Sequence, residues 1–122
     1  MKICITAEGD NLDAQIDQRF GRCQYFIFVD TDTLEFEAVA NPNLSGMGGV
    51  GVQSGQFVAE RKAEVVLTGH VGPKAAETLQ AAGINVVVDV SGNVKEVVEK
   101  YKDGELKASD GPNVEEKSGL DN

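Results

Sequence analysis

The sequence lacks the features that would indicate nucleic-acid binding or membrane insertion. Its 122 residues include 20 acidic and only 11 basic side chains, and the net charge of −9 provides no basic face for DNA, RNA or an anionic membrane. No apolar run approaches the roughly 20 residues that span a bilayer. We therefore expect neither nucleic acid nor membrane as a partner. A small anion is still compatible with this composition, because an acidic protein can carry a local basic pocket.

Cysteine is also scarce. Two cysteines are too few for a disulfide framework or a cysteine-rich zinc site. A chain of this length buries about two-thirds of the surface exposed by its unfolded form, so it needs neither disulfides nor a structural metal to fold. The opening residues, MKICITAEGD, lack the basic segment and long apolar run of a secretion signal. We expect a cytoplasmic protein in which Cys4 and Cys23 stay reduced.

Apolar runs and turn residues alternate along the chain in the order β-β-β-α-β-α-β-α. The pattern predicts strands at residues 2–6, 25–30, 34–40, 64–69 and 84–90, and helices from about Val50, Pro73 and Val94. The tight turn after the second strand makes the second and third strands antiparallel, and the later crossover helices favour parallel pairing. This order predicts an α/β sandwich over residues 1–106. The polar composition that follows predicts a disordered acidic tail at 107–122.

This topology brings four unusual loops to one edge of the sheet. If the second strand alone runs against the others, the loops at 7–24, 41–51, 69–73 and 89–93 all lie at the carboxyl edge. Open α/β sheets bind their ligands at that edge.

One of these loops carries a glycine-rich segment, SGMGGVGVQSG at 45–55. Its G-x-G-x-x-G spacing suggests a dinucleotide site, but the glycines do not follow a strand directly, and the acidic candidate Glu64 begins the next strand instead of ending it. A Walker A sequence is absent as well. The glycines still allow backbone N–H groups to approach an anion at a helix N-terminus. The alternative is an unliganded surface loop.

A second loop contains RFGRCQYF at 19–26. Arg19 and Arg22 offer forked donors to an anion, and a nearby guanidinium lowers a thiol pKa toward the thiolate that ligates metals. The alternative is structural: Phe20 anchors the loop in the core and Cys23 is a small buried filler. For Cys4, inside the first strand, the structural interpretation is preferred.

The third loop, TGHVGP at 68–73, contains the only histidine of the chain. His70 lies where a strand ends and a helix begins, and it is either a structural residue or a ligand beside Cys23. Met47 in the glycine-rich loop is either a thioether ligand or an apolar lid. Cysteine, methionine and histidine together favour a soft metal such as copper, or a sulfide cluster.

These stretches in this order resemble the dinitrogenase iron–molybdenum cofactor biosynthesis family, which includes NifX-type carriers and the C-terminal domain of NifB. The resemblance runs from Met1 to about Leu106 and depends on F-G-R, N-P, the glycine-rich loop and G-x-G-P-x-A. Within the family, VVLTGHVGPKA resembles the orange-protein branch, which carries a molybdenum–copper sulfide cluster. The resemblance implies a ribonuclease-H-like three-layer α/β/α fold with a mixed five-stranded sheet.

The resemblance also implies non-catalytic binding of a metal–sulfur cluster. F-G-R maps to Phe20, Gly21 and Arg22, and many members have histidine where this chain has Arg19. That departure leaves coordination to Cys23 or His70, or to electrostatics alone. We therefore expect a carrier, monomeric or weakly dimeric, for a non-covalently bound molybdenum sulfide cluster with copper or iron, exchanged with donor or acceptor proteins.

The residues expected to bind this cluster come from all three loops: Arg19, Arg22, Cys23, Met47, Gly48, Gly49, Gly51, His70 and Gly72. Four acidic residues in the 7–24 loop would oppose an anion if they lay beside it: Glu8, Asp10, Asp13 and Asp17. No clustered carboxylates indicate a two-metal nuclease, so we do not expect an enzyme. The alternative function is a regulatory module that binds a nucleotide or a protein partner.

Overall fold

The computed structural model describes residues 1–42 and 50–106, so the expected tail at 107–122 lies outside the described residues. Five strands and three helices follow one another in the predicted order. They are β1 (Lys2–Ala7), β2 (Tyr25–Asp30), β3 (Phe36–Ala40), α1 (Val50–Glu60), β4 (Val65–Leu67), α2 (Pro73–Ala81), β5 (Asn85–Val87) and α3 (Val94–Lys102). Within the described ranges, no helix combines the length and apolar character needed to cross a bilayer.

The strands form one mixed sheet in the order β3-β2-β1-β4-β5. β1 pairs in parallel with β4, and β4 with β5, whereas β2 is antiparallel to both of its neighbours. The predicted sheet with one antiparallel strand is therefore confirmed. The carboxyl ends of β1, β3, β4 and β5 and the start of β2 lie at one edge of the sheet, called the carboxyl edge below.

Helices cover the two faces of the sheet and give three layers. Alternation along β1 sends Cys4 to one face, where it joins a core with side chains of α1 and α2, and sends Ile3 and Ile5 to the other, where they pack with α3. The first part of the long loop also covers the α3 face, through buried Ile16. This is the α/β/α arrangement that the family resemblance implied.

Strands β4 and β5 are shorter than predicted. Asp89 has a left-handed backbone (φ 59°), which interrupts the regular ladder after Val87. The two segments stay hydrogen-bonded beyond the strands, because Asp89 N–H donates to Gly69 O at 2.9 Å and Val90 N–H donates to Thr68 O at 3.1 Å. Because of this irregular pairing, residues 68–70 extend beyond the end of the regular sheet.

Gly55 lies at a close contact between two helices. A Cβ atom at Gly55 would lie 2.8 Å from Cγ2 of Thr78 on α2. α1 and α2 therefore pack closely against each other at this point. On α2 the buried face consists of Ala75, Ala76 and Leu79, whereas Ala82 is exposed because it follows the last helical residue.

Candidate functional site

The long loop between β1 and β2 divides into two halves that pack in different places. In the first half, Ala14 O accepts from Val94 N–H at 2.9 Å and Ile16 N–H donates to Gly92 O at 2.9 Å, so this half lies against the start of α3. Three of the four acidic residues belong to it: Glu8, Asp10 and Asp13, all exposed. In the second half, which contains the two arginines, Asp17 is the one acidic residue.

The second half of the loop pairs directly with the connection between β4 and α2. A parallel bridge joins Arg19 to His70, with His70 N–H donating to Gln18 O at 2.6 Å and Phe20 N–H donating to His70 O at 3.2 Å. Gly69 allows this approach, because a Cβ there would lie 2.7 Å from Gln18 Cα. Two of the four loops expected at the carboxyl edge are thus in contact, as the topology predicted.

Hydrogen bonds from the end of β3 and from α1 hold the turn after Phe20 in place. The Asn41 side-chain amide donates to Gly21 O at 3.1 Å and to Cys23 O at 3.0 Å, and the Ser54 hydroxyl of α1 donates to Gly21 O at 3.5 Å. Phe20 is fully buried, which confirms its role as the anchor of the loop. The buried amide of Asn41 was not identified from the sequence, although its place directly after β3 was a usable signal.

Arg22 lies in this fastened turn and is half-buried. Over residues 1–42 and 50–106, its guanidinium has no hydrogen bond or ion pair with another residue. Because none of the described residues occupies its five N–H donors, this guanidinium can donate them to an anion.

A buried polar network fixes the second half of the loop to the sheet. The Thr6 hydroxyl, in β1, donates to Asp17 O at 2.7 Å and is 2.7 Å from the Thr68 hydroxyl at the end of β4. The Asp17 carboxylate accepts from Gln24 N–H at 3.1 Å and from Arg19 N–H at 3.1 Å. The sequence predicts only an opposing charge at Asp17 and does not reveal this network, because its members are far apart along the chain.

Two helices, α1 and α2, begin at the carboxyl edge. Gly72 caps α2 without a side-chain hydrogen bond, Pro73 occupies the first turn, and neither α1 nor α2 has an acidic residue in its first turn. By contrast, α3 is capped by Asn93, whose side chain accepts from Glu96 N–H at 2.8 Å. The helix dipoles of α1 and α2 favour negative charge at this edge. Gly51 lies in the first turn of α1.

The two candidate metal ligands lie in very different environments. His70 is exposed, whereas Cys23 is fully buried in the core on the α1–α2 face. Burial, followed by the nearby Cys4 and Asp17, raises the pKa of the Cys23 thiol well above its ordinary value and outweighs the opposite effect of Arg19. Arg19 lowers this pKa as expected, but burial has the larger effect, so Cys23 fits the alternative of a small buried filler. Cys4 is a buried core residue, as expected.

Three of the expected binding residues, Met47, Gly48 and Gly49, lie outside the described residues. Among the residues that the structure describes, no three histidine, cysteine, aspartate or glutamate side chains form a cluster suited to a metal ion. The described part of the site therefore consists of Arg19, Arg22, His70 and the starts of α1 and α2.

Fold and site define a small three-layer α/β domain in which an arginine-bearing loop pairs with a histidine-bearing loop at the carboxyl edge of the sheet. The model of the family described as dinitrogenase iron-molybdenum cofactor matches residues 1–104, and the chain belongs to this family. The apo form of the orange protein from Desulfovibrio gigas is 42% identical with a TM-score of 0.90, covering 93% of this chain and 96% of that one.

Two further relatives agree with this assignment. A NifB-like protein from Thermotoga is 31% identical with a TM-score of 0.76, over 88% of this chain and 91% of its own. An uncharacterised protein from Methanocaldococcus jannaschii is 28% identical over 109 residues, which cover 87% of this chain and 89% of the relative.

Proposed function

We propose that this protein binds and carries an anionic metal–sulfur cluster, or its precursor, at the carboxyl edge of the sheet, without catalysing a reaction. The observation that carries the proposal is the pairing of the RFGR and TGHVGP segments through the Arg19–His70 bridge. This pairing places cationic side chains at the sheet edge where α1 and α2 begin. Membership in the cofactor family and similarity to the orange protein support a metal–sulfur cargo over a phosphate.

The cargo is held mainly by charge and hydrogen bonds. Sulfide ligands of a cluster carry negative charge, which the guanidinium groups of Arg19 and Arg22 and the N-termini of two helices stabilise. Backbone N–H groups of Gly48, Gly49, Gly51 and Gly72 add donors in this proposal. Because hydrogen-bonded sulfides need no covalent ligand, such a site can receive and release a cluster intact.

His70 is the candidate for a direct bond to the metal. It is exposed at the site, and a neutral imidazole suits copper or iron. Cys23, in contrast, is buried with a raised pKa, and we assign it to packing beneath the loop. The molybdenum cluster with copper or iron that the orange-protein branch suggests is compatible with one imidazole ligand and otherwise non-covalent binding.

Anaerobic reconstitution tests the proposal. Purified protein is mixed with tetrathiomolybdate, alone or with Cu(I) or Fe(II), desalted, and examined by elemental analysis and visible absorption. We expect stoichiometric molybdenum to stay with the wild-type chain and His70→Ala to retain less copper or iron. Arg22→Gln removes charge-assisted hydrogen bonds, so it should weaken tetrathiomolybdate binding about tenfold.

The third arginine of the chain provides a matched control. Arg61 pairs with Glu37 and lies 5.6 Å from the Phe28 ring centroid, beyond the end of α1 and away from the carboxyl edge. Arg61→Gln makes the same change in net charge and should leave the affinity within a factor of two. If the wild-type chain retains no metal after desalting, the carrier proposal is wrong. Tight ATP or NAD binding without a spectral response to tetrathiomolybdate would instead support the regulatory alternative.

A further inference from the structure

Asp17 is a buried carboxylate inside a cationic loop. Only 3% of the residue is exposed. One carboxylate oxygen, Oδ1, accepts from the backbone N–H of Arg19 at 3.1 Å and lies 3.4 Å from Nε of the same arginine. The other, Oδ2, accepts from Gln24 N–H at 3.1 Å. The carboxylate therefore closes residues 17–24 into a ring and holds the Arg19 guanidinium at its Nε atom.

The backbone of Asp17 is fixed just as firmly to the sheet. Its N–H donates to Thr6 O at 2.9 Å, and its carbonyl accepts from the Thr6 hydroxyl at 2.7 Å. Hydrogen bonds through Asp17 therefore link β1 to the Nε atom of Arg19.

The outer part of the Arg19 side chain is not held by the protein. This side chain is 53% exposed, and its terminal Nη groups have no hydrogen bond to another residue in the described ranges. An exposed arginine loses rotamer freedom when it binds a ligand, which costs conformational entropy. Holding its Nε atom in advance reduces that entropy cost.

We propose that Asp17 is a positioning residue of the cluster site, which orients Arg19 toward the anionic cargo and keeps the Arg19–Arg22 loop closed. This inference rests on the proposed function. It makes a prediction opposite in sign to that of simple electrostatics. A negative charge beside an anion site opposes binding, so its removal should strengthen binding if Asp17 acts only through its charge. If Asp17 acts by positioning Arg19, its removal should weaken binding.

The test compares Asp17→Asn with wild type in a titration with tetrathiomolybdate. Asparagine has one acceptor oxygen in place of two, so it cannot accept hydrogen bonds from both ends of the ring. We expect affinity to fall about 3- to 10-fold, the range that corresponds to ordering one long side chain. Tighter or unchanged binding by Asp17→Asn would overturn the positioning role, while the proposed function would stand if wild type still binds.

Asp30 offers a matched control at the opposite end of the sheet. Its Oδ1 also accepts two backbone N–H groups in a turn, from Asp32 at 2.8 Å and from Thr33 at 3.4 Å. Asp30→Asn removes the same charge, but asparagine keeps the single oxygen that accepts both turn hydrogen bonds, and the variant should leave the affinity within twofold. An equal loss in both variants would overturn the positioning role, because it would reflect general loosening of the fold.

A double-mutant cycle with Arg19→Ala separates positioning from folding. If Asp17 acts through Arg19, Asp17→Asn should have no further effect on affinity once Arg19 is removed. Should Asp17→Asn fail to fold, Arg19→Lys gives the second test, because lysine keeps the charge but lacks the Nε–H donor. We expect Arg19→Lys to bind more weakly than wild type, because the Asp17 contact is lost, and more tightly than Arg19→Ala, because the charge remains. Binding at the wild-type level by Arg19→Lys would overturn the inference.

Discussion

Cys4 and Cys23 lie in the same apolar core, between the sheet and the layer formed by α1 and α2. Both are fully buried, and burial is the largest cause that raises the pKa of each thiol. A cysteine in this environment behaves as a small apolar side chain, because the thiolate that reacts and ligates metals is disfavoured.

This environment predicts the reactivity of the thiols. In native protein at pH 8, we expect no reaction with 5,5′-dithiobis(2-nitrobenzoate) over several minutes, whereas both thiols should react after unfolding in guanidinium chloride. The absorbance of the released thiolate gives the count. Cys23→Ala, which leaves a single thiol, assigns any signal to its residue. Rapid labelling of Cys23 in the native chain would contradict its burial and would restore it as a candidate ligand.

The contrast between Cys23 and His70 shows which residue properties the sequence could reveal. The sequence correctly placed Arg19 and His70 on loops at one sheet edge, because strand direction alone determines that edge. It could not show that Cys23 points into a core, since the arginine beside it suggested the opposite pKa shift. The decisive contribution is burial by side chains of distant elements, and no local spacing encodes it.

At the scale of elements, the contact between α1 and α2 sets the spacing of two helices that both begin at the carboxyl edge. Gly55 and Thr78 form its closest point, because a Cβ atom added at Gly55 would lie 2.8 Å from Thr78 Cγ2 and 3.1 Å from Thr78 Cβ. Alanine in the middle of an exposed helix is about 1 kcal/mol more favourable than glycine. Here the steric overlap opposes that gain, and overpacking typically costs about 1–3 kcal/mol.

We therefore expect Gly55→Ala to lower the free energy of unfolding by about 1 kcal/mol, the difference between the two effects. Thr78→Ser removes the Cγ2 methyl that is in the way and should recover most of this loss in the double variant. Urea unfolding of the four proteins measures the coupling. Additive effects of the two substitutions would contradict a direct contact between these residues.

The elements themselves were largely predictable, and their exact ends were not. Apolar runs and turn residues located every strand and helix in the right order, and the Asn93 side chain caps α3 by accepting a hydrogen bond from Glu96 N–H. The strands β4 and β5 end early because Asp89 adopts a left-handed backbone, which is uncommon for aspartate and depends on bonds to residues 68 and 69. Such tertiary pairing cannot be inferred from the segment alone.

At the scale of the whole molecule, the carboxyl edge connects parts of the chain that are distant in sequence. Residues 6, 17, 19, 68 and 70 are joined by hydrogen bonds or by the bridge between the two loops. A ligand that contacts both loops binds only when they are paired, so it binds the folded chain and not the unfolded one. Binding therefore stabilises the entire fold by mass action.

The size of this stabilisation provides the last prediction. At a free tetrathiomolybdate concentration 100 times its Kd, the folded state gains about 2.7 kcal/mol, which raises the Tm of a domain of this size by about 10–20 °C. Molybdate has the same charge but oxygen in place of sulfur, and it should raise the Tm by only a few degrees at equal concentration and ionic strength. Differential scanning calorimetry under anaerobic conditions measures both. An equal shift with molybdate would show that the edge recognises a dianion and not its sulfides, because charge is the property that the two ions share.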